Sequence, residues 1–299
     1  GLLDRCSSSD WRIDLETGYP QTGDSRRVIM GEYNIWQTAV QYTRLTMKAW
    51  FQYKVDAVLK SLAVFLREAT GIIVIYFTML KFDSLNGWNQ KEMLFLYSLL
   101  FLTYGILIIF FTGLRDFSQY IHSGKFDRFL LRPRGLLFQI ITSNSDWFAA
   151  IGHGGLGIVL FVVSAGSVGV MWDLQTVLYY GAAVIGGVLI QGAIFLLLAS
   201  LQFYLIRTNT LKSVLYWNLR KFAGYPISIY HKAIQYIMIY LVPFAFVNYF
   251  PAQYLLRKKD MLGFPELYMY IAPLVGIVMY MGAYIFWRYS VKYYKSTGN

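Results

Sequence analysis

The chain is poor in the residues from which soluble proteins and most enzymes build their sites. Only 14% of its residues are charged, against about 25% in an average soluble domain. It has one cysteine, Cys6, which excludes an internal disulfide and any zinc site built from cysteines. Its three histidines, His122, His153 and His231, are far apart in the sequence and show no metal-ligand spacing. The sequence therefore predicts no metal site.

Signatures of catalysis are missing as well. No Gly-x-x-x-x-Gly-Lys-Ser/Thr phosphate loop occurs, so this chain does not bind and split ATP by that route. It has no His-Glu-x-x-His motif, and its apolar runs contain no paired carboxylates of the kind an intramembrane hydrolase would need. We expect the chain to be no enzyme and to hold no cofactor of its own.

Apolar residues are abundant: 57% of the chain is hydrophobic, 18% is aromatic, and the mean hydropathy is +0.44. Long uncharged runs alternate with short basic segments, which is typical of an all-α integral membrane protein. The net charge of +11 could suggest a nucleic-acid partner. Basic residues placed between membrane-length runs are better explained by orientation in the bilayer. We therefore expect a lipid bilayer and no nucleic acid as a partner.

The apolar runs predict about six transmembrane helices in one domain, residues 30–299. The spans are expected near residues 61–80, 93–114, 147–172, 174–206, 227–256 and 267–287. Only five of the 27 Lys and Arg residues would then lie outside the cell, namely Lys81, Lys91, Arg257, Lys258 and Lys259. Because basic residues collect on the cytoplasmic side, both termini should be cytoplasmic.

Several charged or helix-breaking positions refine this topology. Arg207, Lys212, Arg220 and Lys221 are expected to mark a second cytoplasmic loop, and His231 and Lys232 the inner end of the fifth span. Pro243 and Pro251 predict a kink or a non-helical turn in that span. Arg67 and Glu68 fall within the first span, either as a structural pair near its cytoplasmic end or facing protein, or as a functional intramembrane pair. His153, in a glycine-rich string, is either satisfied by a neighbouring helix or acts as a proton relay or ligand contact.

The N-terminal part differs from the rest. Residues 1–29 lack apolar periodicity and a signal-peptide core, and we interpret them as an N-terminal extension that is disordered or not native to the protein. Residues 33–60 carry an apolar stripe at helical spacing, interrupted by Arg44 and Lys54. This pattern predicts an interfacial helix along the inner leaflet, with a plain soluble helix as the alternative.

The longest polar interval, Arg115 to Asp146, separates the second and third runs and should be cytoplasmic. Within it, Gly124 ends one short helical pattern and Pro133 stops another that begins at Lys125. A short basic helix near the bilayer surface is predicted. The alternative is a solvated turn between two spans.

Three segments of the chain, GKFDRFLLRP, FAGYPISIY and PFAFVNYFPAQYLL, resemble the membrane subunits of ABC exporters of the ABC-2 type. The resemblance implies that 33–60 is a connecting helix and that the polar interval carries a coupling helix docking into a separate ATPase subunit. That subunit would bind ATP and Mg, and a second permease subunit, the same chain or a similar one, would complete the pathway. The implied coupling residues are Gly124, Lys125, Phe126, Asp127, Arg128, Phe129, Leu130, Leu131, Arg132 and Pro133.

Within this coupling helix, Phe126, Phe129 and Leu130 recur at helical spacing and are expected to fill a groove on the ATPase, while the neighbouring charges set the register. The alternative is that the apolar residues rest on lipid headgroups. The resemblance also places a substrate path on the second and fifth spans. Its aromatic candidates are Tyr97, Phe101, Tyr104, Tyr236 and Tyr240, for which lipid-facing packing is the alternative.

These observations together predict the permease subunit of an ATP-driven exporter for a hydrophobic or amphipathic substrate, in a bacterial cytoplasmic membrane. The alternative function is a non-transporting membrane scaffold or sensor with a basic cytoplasmic face.

Overall fold

A computed structural model of the chain describes residues 54–82, 84–205, 208–258 and 263–294, together with residues 12–13, 20–21, 40 and 44. Two short strands, β1 (Arg12–Ile13) and β2 (Pro20–Gln21), pair antiparallel. All of the longer elements that the structure describes are helices. Most of 1–53, including the expected extension and most of the expected interfacial helix, lies outside the described residues.

The α-helices are α1 (Lys54–Met79), α2 (Gln90–Arg115), α3 (Phe117–His122), α4 (Lys125–Leu130), α5 (Leu136–Ser143), α6 (Trp147–Ala165), α7 (Leu174–Leu201), α8 (Asn209–Lys212), α9 (Leu219–Phe222), α10 (Lys232–Tyr236), α11 (Tyr249–Leu255) and α12 (Leu267–Ser290). Two π-helical segments occupy Ser213–Asn218 and Ile237–Leu241. Three 3-10 segments occupy Ile227–Ile229, Phe244–Phe246 and Val291–Tyr293.

Four helices in the described part of the chain are long and apolar enough to cross a membrane: Gln90–His122, Trp147–Ala165, Leu174–Leu201 and Leu267–Tyr293. A bent pair, Lys232–Leu241 and Phe244–Leu255, meets the same criterion when its two helices are taken together. The prediction of a helical integral membrane protein is thereby confirmed.

Local sequence explains where three of the spans begin. Asn89 and Glu92 form a reciprocal capping box at the start of α2. Asp146 accepts a hydrogen bond from the backbone N–H of Ala149 at 3.2 Å at the start of α6. Asp173 caps α7, and its pKa lies below the ordinary value because Thr176 donates hydrogen bonds to the carboxylate.

Helix α1 is continuous over its 26 residues. The expected boundary between an interfacial helix and a first span, at residues 60 and 61, falls inside it. Lys60 remains near the start of α6, where its Nζ binds the carboxylate of Asp146 at 2.8 Å. Ser61 donates to the carbonyl oxygen of Phe148 at 2.8 Å. Both side chains bond to the start of α6, and α1 continues through residue 60 without a break.

The two ends of the bundle are defined by the segments that flank α2. The hairpin end carries the Leu85–Trp88 turn between α1 and α2. The loop end carries residues 116–146. Phe117, just after α2, packs its ring against Phe203 at 5.7 Å and Trp287 at 5.3 Å, which end α7 and α12. These three helices therefore run in the same direction, from the hairpin end to the loop end.

Residues 209–224 return from the loop end to the hairpin end. Lys212 donates from Nζ to the carbonyl oxygen of Arg115 at 2.8 Å, at the loop end of α2. Shortly after this segment, the carbonyl oxygen of Ser228 accepts a hydrogen bond of 2.8 Å from Asn86 in the hairpin. The expected second cytoplasmic loop is therefore wrong beyond its first residues. The sequence did not predict this return to the hairpin end, because the segment is short and charged and part of it is π-helical.

The expected fifth span, 227–256, is also wrong, because both of its ends lie at the hairpin end. Ser228 contacts Asn86, and Lys258 donates to the carbonyl oxygen of Gly87 at 2.6 Å. Between them the chain bends by 75°. Its turn is packed into the bundle, where Phe244 lies 5.5 Å from Tyr216 between ring centroids. This stretch enters and leaves at one end, so it is a re-entrant segment, and His231 and Lys232 lie at the hairpin end.

Prolines act in three different ways in this fold. Pro243 lies in the 75° break, so the predicted interruption is confirmed there. Pro251 is in the first turn of α11, where its missing N–H removes no helical hydrogen bond. Pro273 is inside α12 and leaves the carbonyl oxygen of Met269 without its helical donor. The hydroxyl of Tyr179, from α7, donates to that oxygen instead.

Candidate functional site

The short helix predicted between Gly124 and Pro133 exists as α4, at the loop end of the bundle. Gly124 precedes it with φ of 66°, in the left-handed region that favours glycine. This turn separates α3 from α4, which is six residues long. Arg132 and Pro133 follow in an irregular segment before α5. The sequence therefore located both the entry turn and the exit of this helix correctly.

Phe126 is fully buried within its own chain. Its ring lies 5.4 Å from that of Phe117, 5.5 Å from that of Phe203 and 4.5 Å from that of Tyr294. Those three residues follow α2, α7 and α12 respectively. Phe126 therefore ties α4 to the ends of three long helices.

Phe129 is buried too, with its ring 5.3 Å from that of Tyr120. The expectation that Phe126 and Phe129 fill a groove on a partner is wrong for both, because their rings are already enclosed by this chain. A side chain in such packing cannot enter another protein without opening the packing that holds α4 in place. Helical spacing identified an apolar face correctly but could not say which protein covers it.

Polar side chains also fix α4 and the segment after it. Asp127 accepts a hydrogen bond of 2.7 Å from the hydroxyl of Tyr294. The side-chain amide of Gln139 donates to the carbonyl oxygens of Phe129, at 3.0 Å, and Arg134, at 2.6 Å. These bonds hold α4 to Tyr294 after α12 on one side and to α5 on the other. The expectation that Asp127 faces a partner is not met, since its carboxylate bonds within the chain.

The outer surface of this loop consists of the residues that α4 leaves uncovered. Leu131 is its most exposed apolar residue, with 85% of its surface accessible, and Leu130 is 49% exposed. The other exposed members of the predicted coupling set are Lys125, Arg128, Arg132 and Pro133. We call Leu130, Leu131, Arg132 and Pro133 the loop tip. It combines apolar and basic side chains on a braced support.

The five aromatic candidates for a substrate path fall into two groups. Tyr97, Phe101 and Tyr104 are buried along α2. Tyr236 and Tyr240 are exposed on the re-entrant segment, with their rings stacked at 5.8 Å. The hydroxyl of Tyr240 is 3.0 Å from that of Tyr268 at the start of α12. The described ring contacts link each group to different neighbours, so the five residues form no single surface in this chain.

Around the α2 group lies a set of polar side chains from three further elements, which we call the polar cluster: Glu68 of α1, His153 of α6 and Arg220 of α9. Arg220 lies over the ring of Tyr104, with its Cζ 4.2 Å from the centroid. The imidazole of His153 meets the same ring edge to face at 4.6 Å. Glu68 faces both, with its carboxylate oxygens 3.8 Å from Arg220 Nη1 and 4.0 Å from His153 Nδ1.

The polar cluster is mostly buried, but some of its polar atoms have no hydrogen-bond partner among the described residues. Side-chain exposure is 16% for Glu68, 11% for Arg220 and 4% for His153. Both distances from Glu68 exceed the 2.7–3.2 Å of an ordinary hydrogen bond. Within residues 54–82, 84–205, 208–258 and 263–294, no hydrogen-bond partner reaches His153 Nδ1, Arg220 Nε or Arg220 Nη2, although all three atoms are buried. Such groups are unusual in a folded interior.

The sequence indicated parts of this cluster but did not join them. Glu68 and His153 were each recognised as polar residues inside an apolar run, and both face protein. The expectation that Arg67 and Glu68 lie near the cytoplasmic end is wrong, because Glu68 is opposite the middle of α2. Arg220 was assigned to a cytoplasmic loop, since its segment is short and charged, and was therefore not connected with the other two. Charges within membrane-length regions are the signal that could have connected the three.

Comparison with known proteins is informative at the family level. Residues 65–298 match the model of a family described as ABC-2 family transporter protein. The chain belongs to this family. No curated protein and no solved structure matches it. As a member of the ABC-2 transporter family, it is a permease component of an ABC transporter and an integral membrane protein. Association with an ABC ATPase partner follows from the same membership.

The match contains every part of the site in this ABC-2 protein. It begins before Glu68 and ends after Tyr294, so α4, the loop tip and the polar cluster all lie within it. Membership does not assign a role to any of these residues.

Proposed function

We propose that this ABC-2 protein is the transmembrane subunit of an ATP-driven exporter of hydrophobic or amphipathic molecules. A separate ATPase subunit hydrolyses ATP with Mg, and this chain converts the resulting motion into opening of a path through the membrane. The observation that carries the proposal is the position of Phe126. Its contacts with Phe117, Phe203 and Tyr294 join α4 to the ends of α2, α7 and α12. A force on α4 is therefore passed directly to three long helices.

The loop tip is the surface to which the ATPase binds in this proposal. Leu131 and Leu130 supply apolar contact area, and Arg132 supplies charge at the rim. Binding sites of this kind combine a buried apolar anchor with polar surroundings that set orientation. The groove on the ATPase should accordingly be apolar at its centre and acidic at its edge. Lys125 and Arg128, which are also exposed, extend the basic rim.

The chain crosses the membrane six times in our proposal, with both termini in the cytoplasm. The crossings are α1, α2, α6, α7, residues 209–224 and α12. This path keeps the number of spans predicted from the sequence but replaces the fifth one. The loop end, which carries α4, is cytoplasmic, because residues 116–146 include Lys125, Arg128, Arg132 and Arg134. We place the protein in a bacterial cytoplasmic membrane.

A second permease subunit, the same chain or a similar one, completes the transporter. The re-entrant segment then lies on the outer side, where Tyr236 and Tyr240 are available to a substrate leaving the protein. The buried aromatic residues of α2 do not form an open surface for the substrate. They contribute to the path by surrounding the polar cluster, and they are Tyr97, Phe101 and Tyr104.

Co-purification tests the proposal. The tagged chain is isolated in mild detergent from the cells to which it is native. It should carry an ATPase with a phosphate loop in fixed stoichiometry. ATP hydrolysis by the complex should require Mg, and its rate should differ between detergent and reconstituted vesicles. A chain that retains no such ATPase would instead fit the alternative function, a non-transporting scaffold or sensor.

A further inference from the structure

The polar cluster packs against the middle of α2, which is long and apolar enough to cross a membrane. Its partners on α2, Phe101 and Tyr104, are between 11 and 14 residues from each end of the helix Gln90–Arg115. At 1.5 Å per residue this is about 16 to 21 Å from either end. Ionisable side chains at such depth are costly and mark ligand or ion pathways more often than other buried positions do.

Two further charges at this level are not covered by the chain. Arg67, adjacent to Glu68, leaves 67% of its side chain exposed although its guanidinium contacts the Glu68 carboxylate at 2.8 Å. Lys221, adjacent to Arg220, is also exposed. Lipid tails cannot solvate either cation. This face of the chain therefore borders polar material, such as the interior of a path between two subunits.

The sign of the charge indicates what enters this region. Two cations, Arg67 and Arg220, lie within 4 Å of the single carboxylate of Glu68, and Lys221 follows Arg220 in the chain, so positive charge exceeds negative charge in this region. Arg220 is held on the ring of Tyr104, while its Nε and Nη2 remain without an acceptor. Unused donors and excess positive charge both favour a ligand rich in acceptor oxygens, such as a carboxylate or a phosphate.

We propose that the polar cluster, with Arg67 and Lys221, binds the anionic group of an amphipathic molecule, and that amphipathic anions are the substrates of this transporter. That these anions are substrates rests on the proposed function, whereas the binding site rests on its own geometry. The guanidinium of Arg220 supplies the main hydrogen bonds to the anion. Phe101 and Tyr104, whose rings contact both Arg220 and His153, provide apolar contact beside it, and Trp217 packs against Tyr104.

An equilibrium binding experiment measures the affinity of this site for amphipathic anions directly. The complex as purified is placed in nanodiscs of phosphatidylcholine and titrated with radiolabelled dodecyl phosphate. Dodecyltrimethylammonium, with the same chain and opposite charge, and inorganic phosphate serve as the comparison probes. Saturable binding of dodecyl phosphate that exceeds binding of both comparison probes is expected.

Four single substitutions test the assignment of residues. Arg220→Gln should weaken binding of dodecyl phosphate about tenfold or more, since hydrogen bonds to charged groups contribute that much. Lys221→Gln, at an exposed position, should weaken it about two- to fivefold. Glu68→Gln should strengthen it, because a like charge is removed. Lys91→Gln, at an exposed position at the start of α2, should leave it unchanged.

The rise in affinity for Glu68→Gln is the outcome that a purely structural ion pair would not give. If Arg220→Gln fails to fold, Lys221→Gln and Glu68→Gln decide the question. Tighter binding of dodecyltrimethylammonium, or unchanged binding of dodecyl phosphate in folded Lys221→Gln and Glu68→Gln proteins, would overturn the proposal. Equal binding of inorganic phosphate would overturn its amphipathic part.

The same anionic chemistry occurs in bilayer lipids. Adding phosphatidylglycerol to the nanodiscs distinguishes the sources: displacement of dodecyl phosphate assigns the site to a lipid head group and supports the anion site, while absence of displacement supports a transported anion. The proposed function is tested separately by ATPase retention. A complex that retains its ATPase but binds no dodecyl phosphate refutes this inference alone.

Discussion

The side-chain amide of Asn86 donates a hydrogen bond of 2.8 Å to the carbonyl oxygen of Ser228. Lys258 reaches the same hairpin, at the carbonyl oxygen of Gly87 and at the carboxylate of Glu92. An apolar stretch long enough for a span therefore begins and ends at one end of the bundle. Its backbone at the bend is enclosed by protein, which is the condition under which non-helical backbone is tolerated at membrane depth.

This arrangement predicts the side from which Lys232 can be reached. In a protein from which Cys6 has been removed, Lys232→Cys should react with a membrane-impermeant maleimide added outside the cell. Ser167→Cys, between α6 and α7, should react in the same way, and Ser123→Cys only after permeabilisation. All three positions are exposed. If Lys232→Cys, like Ser123→Cys, reacted only after permeabilisation, the continuous fifth span would be restored.

The fold was predictable where the hydrophobic signal is strong. The runs that became α2, α7 and α12 are uncharged over span length, and α2 and α7 also begin at polar caps, so their position follows from the sequence alone. The fifth crossing was not predictable in this way. Residues 209–224 contain Lys212, Arg220 and Lys221, whereas the re-entrant segment is apolar and of span length. Only tertiary contacts distinguish a charged crossing from a loop.

The loop tip predicts a defect in assembly without a defect in folding. Leu131→Ala removes the most exposed apolar side chain of the loop, and burial of a leucine side chain at an interface contributes about 2 kcal/mol. ATPase retention should fall while the melting temperature stays constant. Leu174→Ala is the matched control, since Leu174 is 76% exposed at the opposite end of the bundle. Equal retention by both variants would exclude the loop tip as the docking surface.

Phe126 predicts the reverse result. Because its ring is fully buried among three other aromatic rings, Phe126→Ala should lower the free energy of unfolding by about 3–5 kcal/mol. ATPase retention should fall only as far as the folded fraction does. Thermal denaturation of the purified chain measures the first effect. A normal melting temperature for Phe126→Ala would show that the ring is not part of the packing at the loop end.

The candidate site was predictable only in part. The sequence located α4 through Gly124 and Pro133, because both residues restrict the backbone locally. It misassigned Phe126 and Phe129, since helical spacing shows that a face is apolar but not what covers it. The polar cluster joins residues from α1, α6 and α9. Glu68 and Arg220 are more than 150 residues apart in the sequence, and no local pattern connects them.

The carbonyl oxygen freed by Pro273 predicts different effects for two neighbouring tyrosines. Tyr179→Phe removes the hydroxyl that donates to Met269 and should destabilise the protein by about 1–3 kcal/mol. Tyr180→Phe should have little effect or stabilise, because the buried hydroxyl of Tyr180 has no hydrogen-bond partner among the described residues. Thermal denaturation of the two variants in the same detergent compares them. Equal loss of stability would contradict the role given to Tyr179.

Close packing of α6 on α2 predicts opposite outcomes for two glycines two residues apart. A Cβ on Gly157 would lie 2.6 Å from the backbone nitrogen and 3.0 Å from the Cα of Leu102, so the helices would have to separate. Gly157→Ala should therefore destabilise by about 1–3 kcal/mol. Gly155 has no atom within 4 Å of the same position. Gly155→Ala should stabilise by up to about 1 kcal/mol, since alanine favours helix more than glycine does.

The two substitutions add the same methyl group to the same helix, so composition, insertion and helix propensity change equally. Their difference in melting temperature isolates the contact between α6 and α2. His153 lies on α6 one turn from Gly157. Separation of the helices should then also move its imidazole away from Tyr104 and weaken binding of dodecyl phosphate by Gly157→Ala but not by Gly155→Ala. If both variants melt like the unmodified protein, α6 and α2 do not pack as closely as Gly157 and Leu102 require.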